Sequence, residues 1–396
     1  MRGWLVLAAF ALLSACVRVV PSAVPPPPTG AAAPVPIVTN AALAGLVRGP
    51  DIGGLGIAPA DARTALSAFV ESCPRLLRRT DASGLTLAED WRPACDAAAN
   101  WPAGDAGRFF TTYFESVRVG DGAAFATGYY EPEISGSRTR APGYDVPVYK
   151  MPPELVRAWP DDMPESERTG RAPLGRYDAS GAFVPYYERA EIEQGALANR
   201  GLEIAWAADP VEFFFLQIQG SGLLRQPDGT LMRIGYAGQN GREYVGIGGV
   251  MRERGLLGDG PGQYAGSMQG IMQYIRENPE AGADLMRLNK SWIFFRELTT
   301  DGPLGALEVP VRRESSVAVD PNFVPLGAPV FLDLDRNEAD GLWIAQDTGG
   351  AIKGANRFDT FWGNGTDART IAGGMSGRGQ ALLLLPRGTI ARLQSR

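Results

Sequence analysis

Three aspartates in the last quarter of the chain are the residues best suited to do chemistry. Asp320 precedes a proline, Asp347 opens the stretch DTGG, and Asp359 stands between a phenylalanine and a threonine. The chain contains no histidine, which removes the commonest general base and the Ser-His-Asp arrangement. A catalyst built from this sequence therefore works with carboxylates. Because aspartate before proline commonly forms a turn, Asp320 is expected to be structural.

Asp347 and Asp359 differ in their neighbours. Phe358, Phe361 and Trp362 offer Asp359 apolar surface. Apolar surroundings disfavour the charged form of a carboxyl group and raise its pKa toward the range of a general acid. We therefore expect Asp359 to be the acid and Asp347, followed by two glycines, to be its structural or electrostatic neighbour.

Other kinds of site fit the sequence poorly. The sequence Asp-Thr-Gly also occurs in aspartic proteases, but these need two such aspartates sharing a proton, and the chain has one. The glycine-rich stretch 246–249 matches neither nucleotide-binding pattern. The three cysteines show no metal-binding spacing, so we expect neither a metal nor a cofactor.

Composition places the chain in the ordinary soluble globular class. It has 396 residues, 45% of them hydrophobic and 21% charged, with a formal net charge of −6. Lysine and arginine are scattered without a basic stripe. Nucleic acid and anionic lipid surfaces are therefore not expected as partners.

The N-terminus has the layout of an export signal. Arg2 precedes a short apolar run that ends in Leu-Ser-Ala-Cys at Cys16. This resembles a lipoprotein signal, which implies cleavage of residues 1–15 and acylation of Cys16. The alternative is an ordinary signal peptide with an incidental cysteine. Residue 17 is valine rather than aspartate, which favours the outer membrane, and the proline-rich residues 16–45 are expected to form a tether.

Export to an oxidising compartment changes the interpretation of Cys73 and Cys95. They flank a polar loop, and the spacing of Leu66, Phe69 and Cys73 predicts a helix before it. A disulfide between two helices is the first interpretation, and two buried free thiols are the alternative.

After these helices the sequence becomes β-rich, with short apolar runs separated by turn residues, as in small barrels. The predicted strands are 124–130, 146–149, 212–219, 232–236, 292–296, 316–319, 329–334, 342–346 and 381–385. In the strand predicted at 212–219, the period of two places Phe215, Gln217 and Gln219 on one face. Such a face suits a sugar-binding groove, because amides bind hydroxyl and acetamido groups while aromatic rings pack on sugars.

Several motifs together resemble the membrane-bound lytic murein transglycosylase A (MltA) family. They are Gly-Tyr-Tyr-Glu-Pro at 128–132, Leu-Gln-Ile-Gln-Gly-Ser-Gly at 216–222, Gly-Tyr-Ala-Gly-Gln-Asn-Gly at 235–241, and Gln-Asp-Thr-Gly-Gly-Ala-Ile-Lys-Gly at 346–354 with Phe358-Asp359. The resemblance implies a mainly β fold with some helices. A double-psi β-barrel, the 3D domain with N-terminal helices, would comprise 46–130 and 301–396. A second β-barrel domain would be inserted at 131–300, with a groove between the two.

The resemblance also implies a reaction. The family cleaves the MurNAc-β-1,4-GlcNAc bond of peptidoglycan without water and leaves 1,6-anhydroMurNAc. Its single catalytic aspartate corresponds to Asp359, and Asp347 and Asp320 would support it. The expected substrate contacts are Tyr130, Glu131, Gln217, Gln219, Ser221, Tyr236, Asn240 and Lys353.

The expected location is the periplasmic face of a Gram-negative outer membrane, with the lipid anchor as the only membrane contact. Peptidoglycan strands are the expected partner, and partners in a wall-synthesis complex stay open. The alternative function is a noncatalytic module that binds or loosens the wall.

Overall fold

The structure is a computed structural model and describes residues 39–395. Cys16, the expected signal peptide and most of the expected tether lie outside the described residues. The end of that tether already belongs to the fold, because Ala41 is buried and its amide donates to the Asn322 carbonyl at 3.1 Å. Among the described residues, no helix combines the length and apolarity needed to cross a bilayer.

Helices and strands alternate irregularly along the described chain. The helices are α1 (Ala41–Ala44), α2 (Pro59–Leu76), α3 (Ala88–Ala98), α4 (Ala106–Tyr113), α5 (Arg189–Glu193), α6 (Pro210–Gln219), α7 (Ile247–Glu253), α8 (Met268–Glu277), α9 (Pro279–Arg287), α10 (Thr366–Gly374) and α11 (Thr389–Gln394). The strands are β1 (Leu46–Arg48), β2 (Phe114–Val119), β3 (Ala123–Glu131), β4 (Glu133–Ser137), β5 (Val146–Tyr149), β6 (Val156–Arg157), β7 (Leu174–Tyr177), β8 (Phe183–Pro185), β9 (Glu203–Ala207), β10 (Ser221–Arg225), β11 (Leu231–Gln239), β12 (Ile293–Glu297), β13 (Ser316–Ala318), β14 (Pro329–Leu334), β15 (Gly341–Asp347), β16 (Arg357–Asn364) and β17 (Ser376–Pro386).

Six strands pair in a closed ring. The order is β17-β14-β15-β13-β16-β3, and the long strand β17 closes the ring by pairing with β3 as well as with β14. Strand β3 comes from one part of the chain, whereas the other five come after residue 315. The ring is thus assembled from two stretches that are far apart in sequence.

The intervening stretch forms a second sheet. Its strand order is β12-β11-β10-β4-β9-β5, and a separate small sheet has the order β6-β7-β8. Within the described residues no ladder joins β12 to β5. By its hydrogen bonds the six-stranded sheet is open between β12 and β5, and the second β-barrel expected from the sequence stays a prediction.

The short apolar runs were good indicators of strands. Strands β5 and β14 have the predicted bounds, and the predictions at 124–130, 232–236, 292–296, 316–319, 342–346 and 381–385 each overlap a strand with ends shifted by a few residues. The prediction at 212–219 is wrong, because this segment is helix α6.

Local signals start and stop helix α6. The Asp209 side chain accepts hydrogen bonds from the amides of Val211 (2.7 Å) and Glu212 (3.2 Å), and Pro210 is the first helical residue. Gly220 ends the helix with a φ of +80°, in the left-handed region that favours glycine.

The apolar run in α6 lacks helical periodicity because the helix is covered on two sides. Phe213 and Leu216 pack in the core beneath the second sheet, whereas Phe214 and Phe215 pack against helices α7, α8 and α9. The sequence pattern of an apolar run that is buried on both sides does not distinguish a strand from a helix. The predicted face of Phe215, Gln217 and Gln219 is therefore not a strand face.

The largest core lies between the ring and the N-terminal helices. Phe69 of α2 packs against Phe109 and Phe114, with ring centroids 5.6 and 5.5 Å away. Buried Gln346 of β15 donates to the Ala68 carbonyl at 3.0 Å and to Ser72 Oγ at 2.9 Å. These bonds fasten α2 to the end of β15, one residue before Asp347.

Cys73 and Cys95 form a disulfide that joins α2 to α3 across 22 positions of sequence. Both residues are buried in the largest core. The bridge closes the loop that carries the polar residues between the two helices.

Replacing both cysteines by serine should lower the free energy of unfolding by about 3 kcal/mol, because the unfolded chain regains the entropy of an open loop of this length. Urea denaturation of the variant and the wild-type protein measures the difference. Wild-type protein treated with a reductant should unfold at the same urea concentration as the variant. A stability equal to that of the oxidised wild type would contradict the prediction.

Candidate active site

Both candidate aspartates lie in one row across the wall of the ring. Ala318 of β13 pairs with Asp347 of β15 on one side and with Asp359 of β16 on the other. Asp359 in turn pairs with Thr127 of β3. Because neighbouring strands are about 4.8 Å apart, the backbones of the two aspartates are separated by about 10 Å.

This row faces a cavity of about 910 Å³. The ring contributes Thr127, Tyr129, Asp347 and Asp359 to its wall. The opposite wall comes from residues of the second sheet and of the helices and loops beside it. The small side chain of Ala318 lies on the wall between the two aspartates, so the row is open to the cavity.

Asp359 accepts a short hydrogen bond from Thr127, whose Oγ1 lies 2.5 Å from Asp359 Oδ1. The guanidinium of Arg357 donates from Nη2 to the same hydroxyl oxygen at 2.9 Å. A threonine hydroxyl has one proton, and guanidinium groups only donate. The Thr127 proton is therefore directed at Asp359.

Burial raises the pKa of Asp359 to about 6, and the charge of Asp347 adds to the increase. The bond from Thr127 and the charge of Arg357 act in the opposite direction. The apolar contacts differ from those expected, because Phe358 and Trp362 lie on the other face of β16 in the main core. The cavity wall, rather than these two rings, withdraws the carboxyl group from water.

Asp347 is bound by three donors. Its Oδ1 accepts from the amides of Thr348 (2.8 Å) and Ala306 (2.9 Å), and its Oδ2 accepts from the hydroxyl of Tyr129 at 3.1 Å. Burial raises the pKa of Asp347 to about 6, while these bonds favour the charged form. Burial and the neighbouring carboxylates raise the pKa of Tyr129 well above its usual range, so its phenol keeps its proton.

Hydrogen bonding distinguishes the two aspartates where their pKa values do not. Fixed donors hold both oxygens of Asp347, which suits an ionised carboxylate. Asp359 Oδ2 has no hydrogen-bond partner among the described residues. Of the two aspartates, Asp359 is therefore the one whose carboxyl group can give a proton to a molecule in the cavity.

Asp320 is buried and fully engaged with backbone. Its Oδ1 accepts from the Asn322 amide at 3.0 Å and its Oδ2 from the Gly354 amide at 2.8 Å. It joins the turn after β13 to the loop between β15 and β16. Within the described residues it is not part of the cavity wall.

Five of the eight expected substrate contacts line the cavity. They are Gln217, Gln219, Ser221, Tyr236 and Lys353. Tyr236 is 48% exposed, which is unusual for a large aromatic side chain. Gln217 and Gln219 reach the cavity wall from the last turn of helix α6, and Ser221 reaches it from the first position of β10.

The other three expected contacts are buried away from the cavity. Glu131 pairs with Arg233 at 2.8 Å, and Asn240 donates to the carbonyls of Tyr187 and Lys290, both at 2.9 Å. Tyr130 packs in the main core. Their side chains are engaged within the fold, and none of the three is part of the cavity wall.

On β3 the residues that line the cavity differ from those expected to contact the substrate. Thr127 and Tyr129 line the cavity, whereas Tyr130 does not. A period of two separates the two faces of a strand but does not say which one faces a cavity. The motif Gly-Tyr-Tyr-Glu-Pro therefore contained the right strand without identifying its functional face.

Gly128 lies between these two residues and faces helix α10. A Cβ atom at Gly128 would lie 2.9 Å from the Cα of Ala372 and 2.9 Å from Trp362 Nε1. Only glycine allows α10 to pack this closely on β3.

The sequence analysis also missed the cationic side of the cavity. Buried Arg189 donates to the carbonyls of Asn289 (2.8 Å) and Ser291 (2.6 Å), and its guanidinium lies 4.7 Å from the ring centre of Phe214. Burial lowers the pKa of Arg189 to about 10, so it stays charged at neutral pH. No motif marks this residue, because the two carbonyls that hold it are 100 and 102 positions away in the sequence.

Tyr244 is a further wall residue that the sequence analysis missed. It lies opposite the loop after β15, where a Cβ atom added to Gly350 would be 3.8 Å from the tyrosine side chain. Burial raises the pKa of Tyr244, and the charge of Asp359 adds to the effect. Within residues 39–395, no group of three or more acidic or cysteine side chains is arranged to hold a metal ion.

Comparison with known proteins identifies two family matches along the chain. Residues 125–296 match the family described as the MltA specific insert domain, and residues 315–385 match the 3D domain. A membrane-bound lytic murein transglycosylase A of Vibrio cholerae is 29% identical over 305 residues, which are 73% of this chain and 74% of the relative.

Solved structures of similar proteins cover most of the chain. A membrane-bound lytic murein transglycosylase from Agrobacterium tumefaciens is 30% identical, with a TM-score of 0.77, over 89% of this chain and 99% of its own. The structure of Escherichia coli MltA with bound chitohexaose is 27% identical, with a TM-score of 0.60, over 86% of this chain and 93% of its own.

Replacing Thr127 by valine should raise the pKa of Asp359 above its value of about 6, because a hydrogen bond that favours the charged form is lost. Titration of the Asp359 carboxyl carbon by NMR measures the change. Thr127→Ser is the matched control, since it keeps the hydroxyl group and should leave the pKa unchanged. An unchanged or lower pKa in the valine variant would refute the proposed role of the hydroxyl.

Proposed function

Because the chain belongs to the membrane-bound lytic murein transglycosylase A family, we propose that it cleaves the MurNAc-β-1,4-GlcNAc bond of peptidoglycan and forms 1,6-anhydroMurNAc. The observation that carries the proposal is the state of Asp359: a carboxyl group with a raised pKa and one free oxygen in a large cavity. The E. coli relative binds chitohexaose, which supports a glycan as the substrate of this chain.

Asp359 would serve first as acid and then as base. Its protonated form gives a proton to the glycosidic oxygen while the bond from that oxygen to C1 of MurNAc breaks. Positive charge then develops at C1 and the ring oxygen. The C6 hydroxyl group of the same sugar bonds to C1 and returns its proton to the Asp359 carboxylate.

One carboxyl group is enough for this reaction because the nucleophile belongs to the substrate. An ordinary glycosidase needs a second carboxylate to activate water or to attack C1. Here the C6 hydroxyl is held by the sugar ring itself, and the proton given in the first step is recovered in the second. The absence of histidine from the chain is compatible with this chemistry.

Asp347 would act without changing its protonation state. Its three fixed donors favour the carboxylate, and that charge raises the pKa of Asp359. The negative charge also lies on the wall where positive charge develops in the sugar. Asp320 would support the site by fixing the loop that joins Asp347 to Asp359.

The same proposal extends to the fold and the location of the protein. The closed ring of six strands would be a double-psi β-barrel, and the cavity would be the centre of a groove that holds a glycan strand. Cys16, which lies outside the described residues, would carry a lipid that holds the enzyme at the periplasmic face of the outer membrane. The names of the relatives as membrane-bound enzymes support this location.

Asp359→Asn should reduce the release of anhydromuropeptides from purified murein by at least about 10³-fold, since the amide can neither give nor take the proton. Mass spectrometry of the soluble products measures the loss. Products with reducing ends in the wild-type digest would instead indicate hydrolysis, and no products at all would indicate a noncatalytic binding module. Near-normal turnover by the variant would exclude Asp359 as the acid.

The same variant should be more stable than the wild type at pH 8. The folded pKa of about 6 exceeds the unfolded value of 3.8, so ionisation of Asp359 costs up to about 3 kcal/mol of folding free energy above pH 6. Asparagine removes this cost. The difference in stability between variant and wild type should disappear near pH 3, where the Asp359 carboxyl group is protonated in both the folded and the unfolded protein. Denaturation at the two pH values measures it and also shows that the variant is folded.

Wild-type kcat/KM should fall as the pH rises through about 6, because the acid of the free enzyme loses its proton. Initial rates on purified murein across the pH range measure this limb. Asp347→Asn removes a charge that raises the pKa of Asp359, so it should move the limb to lower pH. If the limb stays at the same pH in this variant, the charge of Asp347 does not influence the pKa of Asp359.

A further inference from the structure

Four carboxamide side chains line the cavity opposite the aspartates. Three are glutamines, Gln217, Gln219 and Gln239, and the fourth is Asn289. A carboxamide can offer a ligand either its carbonyl oxygen, which accepts, or its nitrogen, which donates. What each one offers is decided by the partner it has inside the protein.

In the first pair, a protein donor occupies the carbonyl oxygen. Arg189 Nη1 donates to Gln217 Oε1 at 2.7 Å, and the Tyr130 amide donates to Gln219 Oε1 at 3.0 Å. Neither a guanidinium nor a backbone amide can accept a hydrogen bond, so neither carboxamide can be reversed.

The second pair follows the same pattern. The Gly241 amide donates to Gln239 Oε1 at 3.0 Å. The amides of Val245 (3.3 Å) and Ser291 (3.2 Å) donate to Asn289 Oδ1. All four side chains therefore keep their oxygens inside the protein. Gln217 also uses one N–H group there, because its Nε2 donates to the Ile293 carbonyl at 3.4 Å. The remaining N–H groups are left for the cavity.

Cations add to these donors. The same wall contains Arg189, Arg242 and Arg296, whereas Lys353 and Arg357 line the cavity from the ring side, in β16 and the loop before it. The acidic residues of the cavity are Asp347, which is bound by three donors, Asp359, and Glu308, which pairs with Arg75 at 3.1 Å. The wall away from the two aspartates thus presents donors and positive charge to a ligand.

We propose that this donor wall makes the enzyme selective for N-acetylated glycan and excludes glycan whose amino groups are free. The inference rests on the proposed function of the site. An acetamido group has a carbonyl oxygen that accepts from the carboxamides. A free amino sugar carries an ammonium group at the acidic pH where Asp359 holds its proton, and that group only donates.

The preference for N-acetylated glycan over free amino sugars should be large, because lost hydrogen bonds and charge repulsion both weaken binding of the ammonium form. An ammonium group facing carboxamide N–H groups leaves buried donors unpaired, and the neighbouring guanidinium groups repel it. A site that loses a hydrogen-bond partner in this way discriminates by at least about tenfold.

Binding to the Asp359→Asn protein tests the proposal without cleavage of the ligand. Calorimetry at pH 6 compares chitohexaose, which carries six acetamido groups, with the glucosamine hexamer, which carries none. Chitohexaose should bind at least about tenfold more tightly. Equal affinities, or tighter binding of the glucosamine hexamer, would overturn the inference.

Gln219→Glu in the same background tests the carboxamide itself. One oxygen of the new carboxylate can still accept from the Tyr130 amide, while the other presents an acceptor and a negative charge to the cavity. The preference for chitohexaose should fall by about tenfold, because an ammonium group gains a partner and an acetamido group loses one.

Gln194→Glu is the matched control, since Gln194 is exposed, lies just after helix α5 and is not part of the cavity wall. It makes the same change in net charge and should leave the preference unchanged. A similar change of preference in both variants, or in neither, would overturn the role of Gln219. The preference of the parent protein tests the wall even if Gln219→Glu does not fold.

Product analysis keeps this inference separate from the proposed function. If wild-type enzyme releases anhydromuropeptides while the two hexamers bind alike, the inference fails and the function stands. If no anhydro products form but chitohexaose is preferred, the function fails and the donor wall stands as a binding site.

Discussion

The pairing of β16 with β13 on one side and β3 on the other is the constraint on which the site depends. It fixes the row Asp347, Ala318, Asp359 and Thr127, whose members come from four strands and from two distant parts of the chain. Thr127 and Asp359 are 232 positions apart, yet their side chains are 2.5 Å from each other. A slip of one residue in either ladder would turn Asp359 into the core and Phe358 into the cavity. Closing the ring through β17 removes that freedom.

Burial affects the two aspartates alike, but their hydrogen-bond partners differ. Withdrawal from water raises the pKa of both to about 6. The backbone amides that bind Asp347 are fixed by the fold and cannot release it, whereas Asp359 has a single threonine donor held in place by Arg357. In the proposed mechanism, Asp347 is therefore a fixed negative charge of the wall and Asp359 is the group that carries the proton. This division suits a reaction in which a single group must give a proton and take one back.

The two walls of the cavity divide the work in a similar way. The ring provides the two aspartates together with Lys353 and Arg357, and the second sheet with its helices provides the carboxamide donors and three further cations. Arg189 links these roles, because it holds the oxygen of Gln217 while adding positive charge to the wall. A wall of donors needs acceptors in its ligand, and N-acetylated sugars are rich in them. The protein is acidic overall, so this local excess of positive charge is a property of the cavity rather than of the composition.

The sequence by itself predicted carboxylate chemistry, and its motifs identified the family and selected Asp359 as the proposed acid. It also located most strands, since runs such as 146–149 and 329–334 are short, apolar and bounded by turn residues. Only the tertiary structure decided that 212–219 is a helix, because burial on two sides removes the periodicity that separates helix from strand. It also decided that Thr127 and Tyr129, rather than Tyr130, line the cavity, and that Glu131 pairs with Arg233. Local sequence defines the two faces of a strand, but only long-range pairing decides which face meets the cavity.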